Sequence, residues 1–121
     1  MTSLDKYSAL PADVVRAHVP KNFLIGASCH TASDIAAAGA AGADLALFGP
    51  VFASPGKDDG VGIAALMDAC PAAVKIPVIA IGGIDETNCR AAIDAGAAGI
   101  AAIRSLNDVR SMQRVLKELG R

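Results

Sequence analysis

The sequence predicts an α/β fold of four parallel βα units preceded by a short helix, the count of half a TIM (β/α)8 barrel. Three observations predict it. Four short apolar runs recur along the chain, helix-like segments with start and stop signals separate them, and one unit is echoed further on. At 121 residues the chain is expected to make a single domain, 1–121, with a core of its own.

The first apolar run, Phe23–Ala27, follows a helix over 11–19 with Pro11 near its first turn. Thr31 or Ser33 then caps a helix running to about Ala41, with Gly39 and Gly42 at its exit. Leu45–Phe48 is the second run. Ile63–Ala69 opens the next helix, and Pro71 disturbs its end. Pro77 leads into the third run, Val78–Ile81, at the strand position where a missing N–H does least harm. Asp85 is expected to cap a helix through Ala95, ended by Gly96. Ile100–Ile103 is the last run, and a helix over 108–119 closes the order. Each run is too short for a buried helix. Each is continuously apolar rather than alternating, as strands covered on both faces are.

Residues 26–42, "GASCHTASDIAAAGAAG", align without gaps on residues 83–99, "GIDETNCRAAIDAGAAG". Recurrence of a βα unit is what a barrel or solenoid produces, and alternating units predict a parallel sheet with right-handed crossovers. Four such strands cannot close on themselves, since complete barrels run to about 250 residues. Two exposed edges and an apolar inner face would remain. Either two copies pair, each completing the other, or the missing half lies elsewhere in a longer chain. A flattened open sheet is the third arrangement.

Composition sets the limits on function. The chain is 53% hydrophobic but only 3% aromatic, so its core is expected to use small and branched side chains. A net charge of -1, no basic cluster and few rings for stacking bases exclude nucleic acid and anionic membranes as expected partners. Cys29, Cys70 and Cys89 are far apart and form no CxxC or zinc-like spacing, so buried, reduced thiols are expected. With neither a signal-peptide pattern nor an apolar run near the ~20 residues of a bilayer span, a soluble, cytoplasmic protein is expected.

In a (β/α)8 barrel, functional groups gather where strands end and helices begin. The four exits read "ASCHT" (27–31), "GPVFASPGKDDG" (49–60), "IGGID" (81–85) and "IRS" (103–105). Gly82 and Gly83 let a backbone turn approach an anion closely ahead of a helix, and the last two exits of barrels commonly hold phosphate. The alternative is a plain turn. The second exit is long for a βα connection, and Gly, Pro, Ser and Lys57 make it an anion-friendly flap, or else a solvated loop in which Asp58 and Asp59 are surface charges. Ser28 and His30 fall on one face of an alternating strand. His30 has the chemistry of a proton shuttle or is structural. No P-loop, nucleophile elbow or dinucleotide fingerprint is present.

These exits resemble the thiamine phosphate synthase family and its sibling thiazole tautomerase (TenI) group, on "IGASCHT", "GADLALFGPVFASPGK", "IPVIAIGGID" and "DAGAAGIAAI". The motifs cover about residues 10–107 and look like strands five to eight of a TIM barrel. The resemblance implies the joining of an aminopyrimidine diphosphate to a thiazole phosphate in thiamine biosynthesis, with release of pyrophosphate. It assigns Ser28 and Lys57 to the pyrimidine diphosphate. Ser54, Pro55 and Gly56 stand in the place of a Thr-x-Thr that holds the thiazole phosphate, and Gly83 with Ile103 and Arg104 completes that cradle. Two departures stand out: Gly56 carries no hydroxyl, and Arg104 replaces a serine.

The family's strands one to four supply a Gln-x-Arg-x-Lys motif, an Asn-Asp pair and a further Asp for pyrophosphate and magnesium. These are absent here, so magnesium belongs to the family's chemistry but none is expected to bind this chain. A small phosphorylated substrate is expected, with a homodimer or the missing N-terminal half as macromolecular partner. Three readings follow: a synthase-derived half-site, a tautomerase in which His30 moves the proton, or a non-catalytic phosphate-binding half-barrel that associates with itself.

Overall fold

The computed structural model describes residues 12–52, 60–102 and 109–120. Its strands are β1 (Gly26–Cys29), β2 (Leu45–Phe48), β3 (Val78–Ile81) and β4 (Gly99–Ala101). All three pairings are parallel, and the sheet order is β1-β2-β3-β4, so neighbours in sequence are neighbours in space. The helices are α1 (Ala12–Arg16), α2 (Ala32–Ala40), α3 (Ile63–Ala69), α4 (Cys89–Asp94) and α5 (Val109–Glu118). Four parallel strands alternating with helices are half of a (β/α)8 arrangement.

Strand geometry divides the side chains between two faces. Cys29, Ala46, Phe48, Val78 and Ala80 point one way and are buried, packed with Ile35 and Ala38 of α2, Leu66 and Ala69 of α3, Ala92 of α4 and Val115 of α5. Alanines fill much of this layer, which lets helices sit close to the sheet, and Phe48 is its largest buried side chain. The opposite face carries Ser28, Leu47, Ile79 and Gly99 in one row, set side by side by the register. Ser28 is exposed on that row, while Leu47 and Ile79 are only half-buried.

The second and third strands and the Ile63–Ala69 helix have the bounds expected from sequence. Pro71 falls in a 3-10 turn, Cys70–Ala72, that ends the α3 segment. The first strand does not follow expectation: it begins at Gly26, three residues late. Phe23 and Leu24 are 54% and 72% exposed in the approach to it, so apolar character there marks surface rather than pairing. The fourth strand starts one residue early, at Gly99, which pairs with Ile79. Asp85 is not a cap. Its carboxylate accepts from the Thr87 N–H at 2.8 Å within a turn, and α4 starts only at Cys89 after Asn88.

The sequence echo is true of the fold but misplaced in register. Residues 32 and 89 both begin helices, as the gapless alignment requires. Their ends do not correspond under it: the turns equivalent in structure are at Gly42 and Gly96, with φ of 96° and 118°. In each, the residue after the glycine donates five residues back, Ala43 to Ala38 and Ala97 to Ala92, closing the helix as a Schellman-type turn.

α1 is fastened to the bottom of the sheet through one side chain. Arg16 donates to the carbonyls of Phe23 (2.9 Å) and Gly42 (3.2 Å) and to the Asp44 carboxylate (2.6 Å). Asp44 also accepts from the Ile25 N–H at 2.7 Å. Together these bonds lock the chain ends just before β1 and β2. The Ile25 N–H first, and then Arg16, hold the Asp44 carboxyl below its ordinary pKa. Among the described residues, no helix is long and apolar enough to cross a membrane.

Candidate functional site

The carboxyl ends of the first three strands are tied into one surface by backbone contacts. β1 ends at Cys29, whose carbonyl accepts from the Gly49 N–H at 3.2 Å. His30 follows, and its ring Nδ1 lies 2.6 Å from the Gly49 carbonyl. A carbonyl only accepts, so Nδ1 carries the proton in this bond, and of the two neutral tautomers the one with its lone pair on Nε2 is selected. The backbone under the ring is fixed as well. Asp34 accepts from the N–H groups of His30 (2.8 Å) and Thr31 (3.1 Å), and Thr31 Oγ1 accepts from the Asp34 N–H (3.1 Å). This capping box starts α2 and sets the chain direction at the strand exit.

Beyond β2 the chain runs on beside the end of β3. The Val51 N–H donates to Ile81 (2.8 Å) and that of Phe52 to Gly82 (3.1 Å). It returns against itself: Val61 donates to Pro50 (2.7 Å) and Gly62 to Val51 (2.8 Å). These four bonds make a neck at the base of the second exit. Two glycines permit the packing. A Cβ on Gly49 would lie 2.3 Å from the Ile81 carbonyl oxygen, and one on Gly82, at φ 95°, would lie 2.5 Å from Pro50 Cα. No side chain fits at either position.

The third exit turns sharply through Gly83, at φ 64°. Asn88 holds that turn, donating from Nδ2 to the Gly83 carbonyl and accepting at Oδ1 from the Asp85 N–H, both at 2.8 Å. The two glycines are therefore followed by an Asp–Asn turn, not directly by the helix expected from sequence; α4 begins five residues after Ile84.

Of the residues expected at the site, Ser28, His30, Gly82 and Gly83 lie at the carboxyl end of the sheet or on its open face. Ser28 and His30 are both exposed, and Cys29 between them is buried on the helix side. Burial first, and the Asp34 charge second, push the Cys29 thiol upward, which makes it a poor nucleophile despite its place. Cys89 is also buried, and Cys70 half-buried; all three cysteines are free. Ser54, Pro55, Gly56 and Lys57, with Asp58 and Asp59, lie outside the described residues, as do Ile103 and Arg104. The described chain nearest the first group on each side is anchored at the neck, at Phe52 and Val61. β4 ends at Ala101, paired with Ile81 at the carboxyl end of β3.

Gly49, Asn88 and Asp34 build this surface and were not singled out from sequence. Gly49 was detectable as a glycine directly after a strand, and Asp34 as the third residue after Thr31. Asn88 had only a turn-rich context to mark it. Among the described residues, no group of three or more His, Cys, Asp or Glu is placed to hold a metal ion.

Comparison with known proteins follows this geometry. The profile of a family described as Thiamine monophosphate synthase matches residues 6–106. The thiamine-phosphate synthase of Methanoculleus marisnigri is 42% identical over 115 residues, which are 90% of this chain and 54% of that protein. A putative thiamine-phosphate synthase of Geobacter sulfurreducens is 43% identical over 116 residues, 91% of this chain and 54% of that one. Among solved structures, thiamine phosphate pyrophosphorylase from Pyrococcus furiosus superimposes with a TM-score of 0.77 at 29% identity, covering 92% of this chain and 55% of that chain. The chain spans about half the length of the relatives it matches.

Proposed function

The chain belongs to the thiamine monophosphate synthase family, and from that premise we propose that it carries the thiazole-phosphate half of a thiamine phosphate synthase site. The observation that supports this reading is the knot of contacts joining His30, Gly49, Pro50 and Gly82 at one end of the sheet. On this reading the Gly82–Gly83 turn, with Ile103 and Arg104, receives the phosphate of the thiazole, and the Ser54–Gly56 segment covers it. Lys57 places a point charge on the oxygens of the departing diphosphate, and Ser28 donates a hydrogen bond to them. Coupling then proceeds as a pyrimidine cation is captured by the thiazole nitrogen, and the chain's contribution is to hold departing negative charge and align the nucleophile.

Binding tests the half-site directly. Thiazole phosphate at about one hundred times its dissociation constant is expected to stabilise the chain by about 2.7 kcal/mol in thermal unfolding. The absence of any shift with thiazole phosphate, and with pyrophosphate, overturns the reading. Supplied with both substrates and magnesium, the chain alone is expected to form thiamine phosphate far below the roughly 1–1,000 per second usual for enzymes.

A second reading rests on His30 alone. With Nδ1 committed to Gly49, Nε2 is presented as a base, the arrangement needed to move a proton in a tautomerisation of a thiazole carboxylate phosphate. That reaction requires neither magnesium nor a diphosphate cluster.

A further inference from the structure

We propose that Asn88 is a positioning residue for anion binding at the third strand exit: by holding the Gly83 carbonyl toward the start of α4, its side-chain amide sets the affinity of the Gly82–Gly83 turn for a phosphate group. This deepens the half-site reading and rests on it.

Carbonyl oxygens carry partial negative charge, so a backbone turn that receives an anion needs them engaged elsewhere. At the third exit three in succession are engaged. The Ile81 oxygen accepts from the Val51 N–H at 2.8 Å, and the Gly82 oxygen from the Phe52 N–H at 3.1 Å. Both bonds belong to the neck and involve no side chain. The Gly83 oxygen differs: among the described residues its donor is Asn88 Nδ2, at 2.8 Å.

That bond acts where the backbone is least constrained. Gly83 has φ of 64° and no Cβ, so rotation of the peptide that follows it meets little steric resistance. Asn88 supplies the resistance at two points, since its Oδ1 also accepts from the Asp85 N–H at 2.8 Å. A carbonyl only accepts and an N–H only donates, so the two partners permit one orientation of the amide. They stand on either side of Ile84, which is 4% exposed and packed in the core. Residues 83–85 are thus fixed in direction as well as in place. Asn88 also occupies the position before α4 where an asparagine ordinarily caps a helix, yet its side chain makes no cap bond there. The amide faces back to the turn instead.

The rest of the exit is anchored without that amide. Thr87 donates from its N–H and Oγ1 to the Asp85 carboxylate, the Cys89 N–H donates to the Asp85 carbonyl at 2.9 Å, and Arg114 of α5 donates to Glu86 at 3.1 Å. Removing the amide therefore frees the Gly83 carbonyl without dismantling the loop, and an unpaired carbonyl turned toward the mouth opposes a phosphate.

The test is calorimetric titration of the intact chain with inorganic phosphate and with thiazole phosphate, at a temperature where every variant is folded. Asn88→Ala and Asn88→Ser should each weaken both probes by a similar factor, roughly fivefold to tenfold. Serine is favoured at a helix start, so Asn88→Ser should keep a urea midpoint close to that of the parent, although its hydroxyl is one bond shorter than either arm of the amide. Thr87→Val removes the hydroxyl bond to Asp85 within the same turn and leaves the Gly83 carbonyl held, so its affinities should stay within about twofold of the parent. Unchanged phosphate binding in both Asn88 variants overturns the positioning role. So does an equal loss in Thr87→Val, which would trace the effect to general loosening of the turn. A parent chain that binds neither probe overturns the half-site reading itself, and the role of Asn88 with it.

Discussion

His30 Nδ1 sits 2.6 Å from the carbonyl oxygen of Gly49, a bond that joins the ends of two neighbouring strands and chooses the tautomer of the ring. The expected consequence concerns proton transfer alone. If the tautomerase reading holds, His30→Asn should slow isomerisation of the thiazole carboxylate phosphate by roughly 10²–10⁴-fold with little change in its binding. Following the isomerisation by NMR checks this, and an unchanged rate removes the reading.

Asp44 makes stability depend on acid. Its carboxyl is held below the ordinary value by the Ile25 N–H and by Arg16, so its folded pKa is depressed. A depressed pKa stabilises the fold above the unfolded value, about 3.9, and that stability is lost as pH falls through the folded value. Urea midpoints measured at pH 7 and below pH 4 should converge less steeply for Asp44→Asn, which starts lower at neutral pH and loses less on acidification. Equal acid sensitivity in the two proteins would show that this clamp does not contribute.

Gly82→Ala tests the close approach at the third exit. The added Cβ meets Pro50 Cα at 2.5 Å in a backbone of positive φ, so strain and overlap combine. A loss of roughly 2–6 kcal/mol is expected in chemical unfolding, together with loss of any phosphate-dependent stabilisation. Gly42→Ala is the control: it has positive φ but nothing within 4 Å of the new atom, so it should cost only the smaller conformational part.

The two faces of the sheet should answer differently to truncation. Leu66, on α3 and fully buried against the helix face, should cost about 2–5 kcal/mol as Leu66→Ala. Leu47, half-buried on the other face, should cost about 1 kcal/mol as Leu47→Ala. Urea unfolding of both variants measures the contrast, and equal losses would mean the second face is covered in solution.

Much of the architecture is readable from local pattern because each βα unit carries its own punctuation. Leu45–Phe48, Val78–Ile81 and Ile63–Ala69 are bounded by Gly, Pro or Asp in the sequence and have those bounds in the fold. Phe23 and Leu24 misled because an exposed edge keeps apolar residues that pairing does not require. Asp85 misled because a carboxylate stabilises a turn as readily as a helix start. The site was legible as a set of strand exits, and the parity of Ser28 and His30 followed from pleating alone. Contacts between exits were not: His30 with Gly49 spans 19 residues, Gly82 with Pro50 spans two strands, and Arg16 with Asp44 spans 28 residues. Such relations depend on which exits the sheet brings together, and no local period encodes them.

The neck formed by Pro50, Val51, Phe52, Val61 and Gly62 has a bearing on how such a chain diversifies. Its bonds run between main-chain atoms and ask little of the side chains except glycine where the strands press together. The described chain on each side, at Phe52 and at Val61, is thus held by backbone bonds like two fixed posts. Side-chain changes along this neck should therefore leave its four main-chain bonds in place, whereas a Cβ at Gly49 or Gly82 would force the neighbouring strand ends apart.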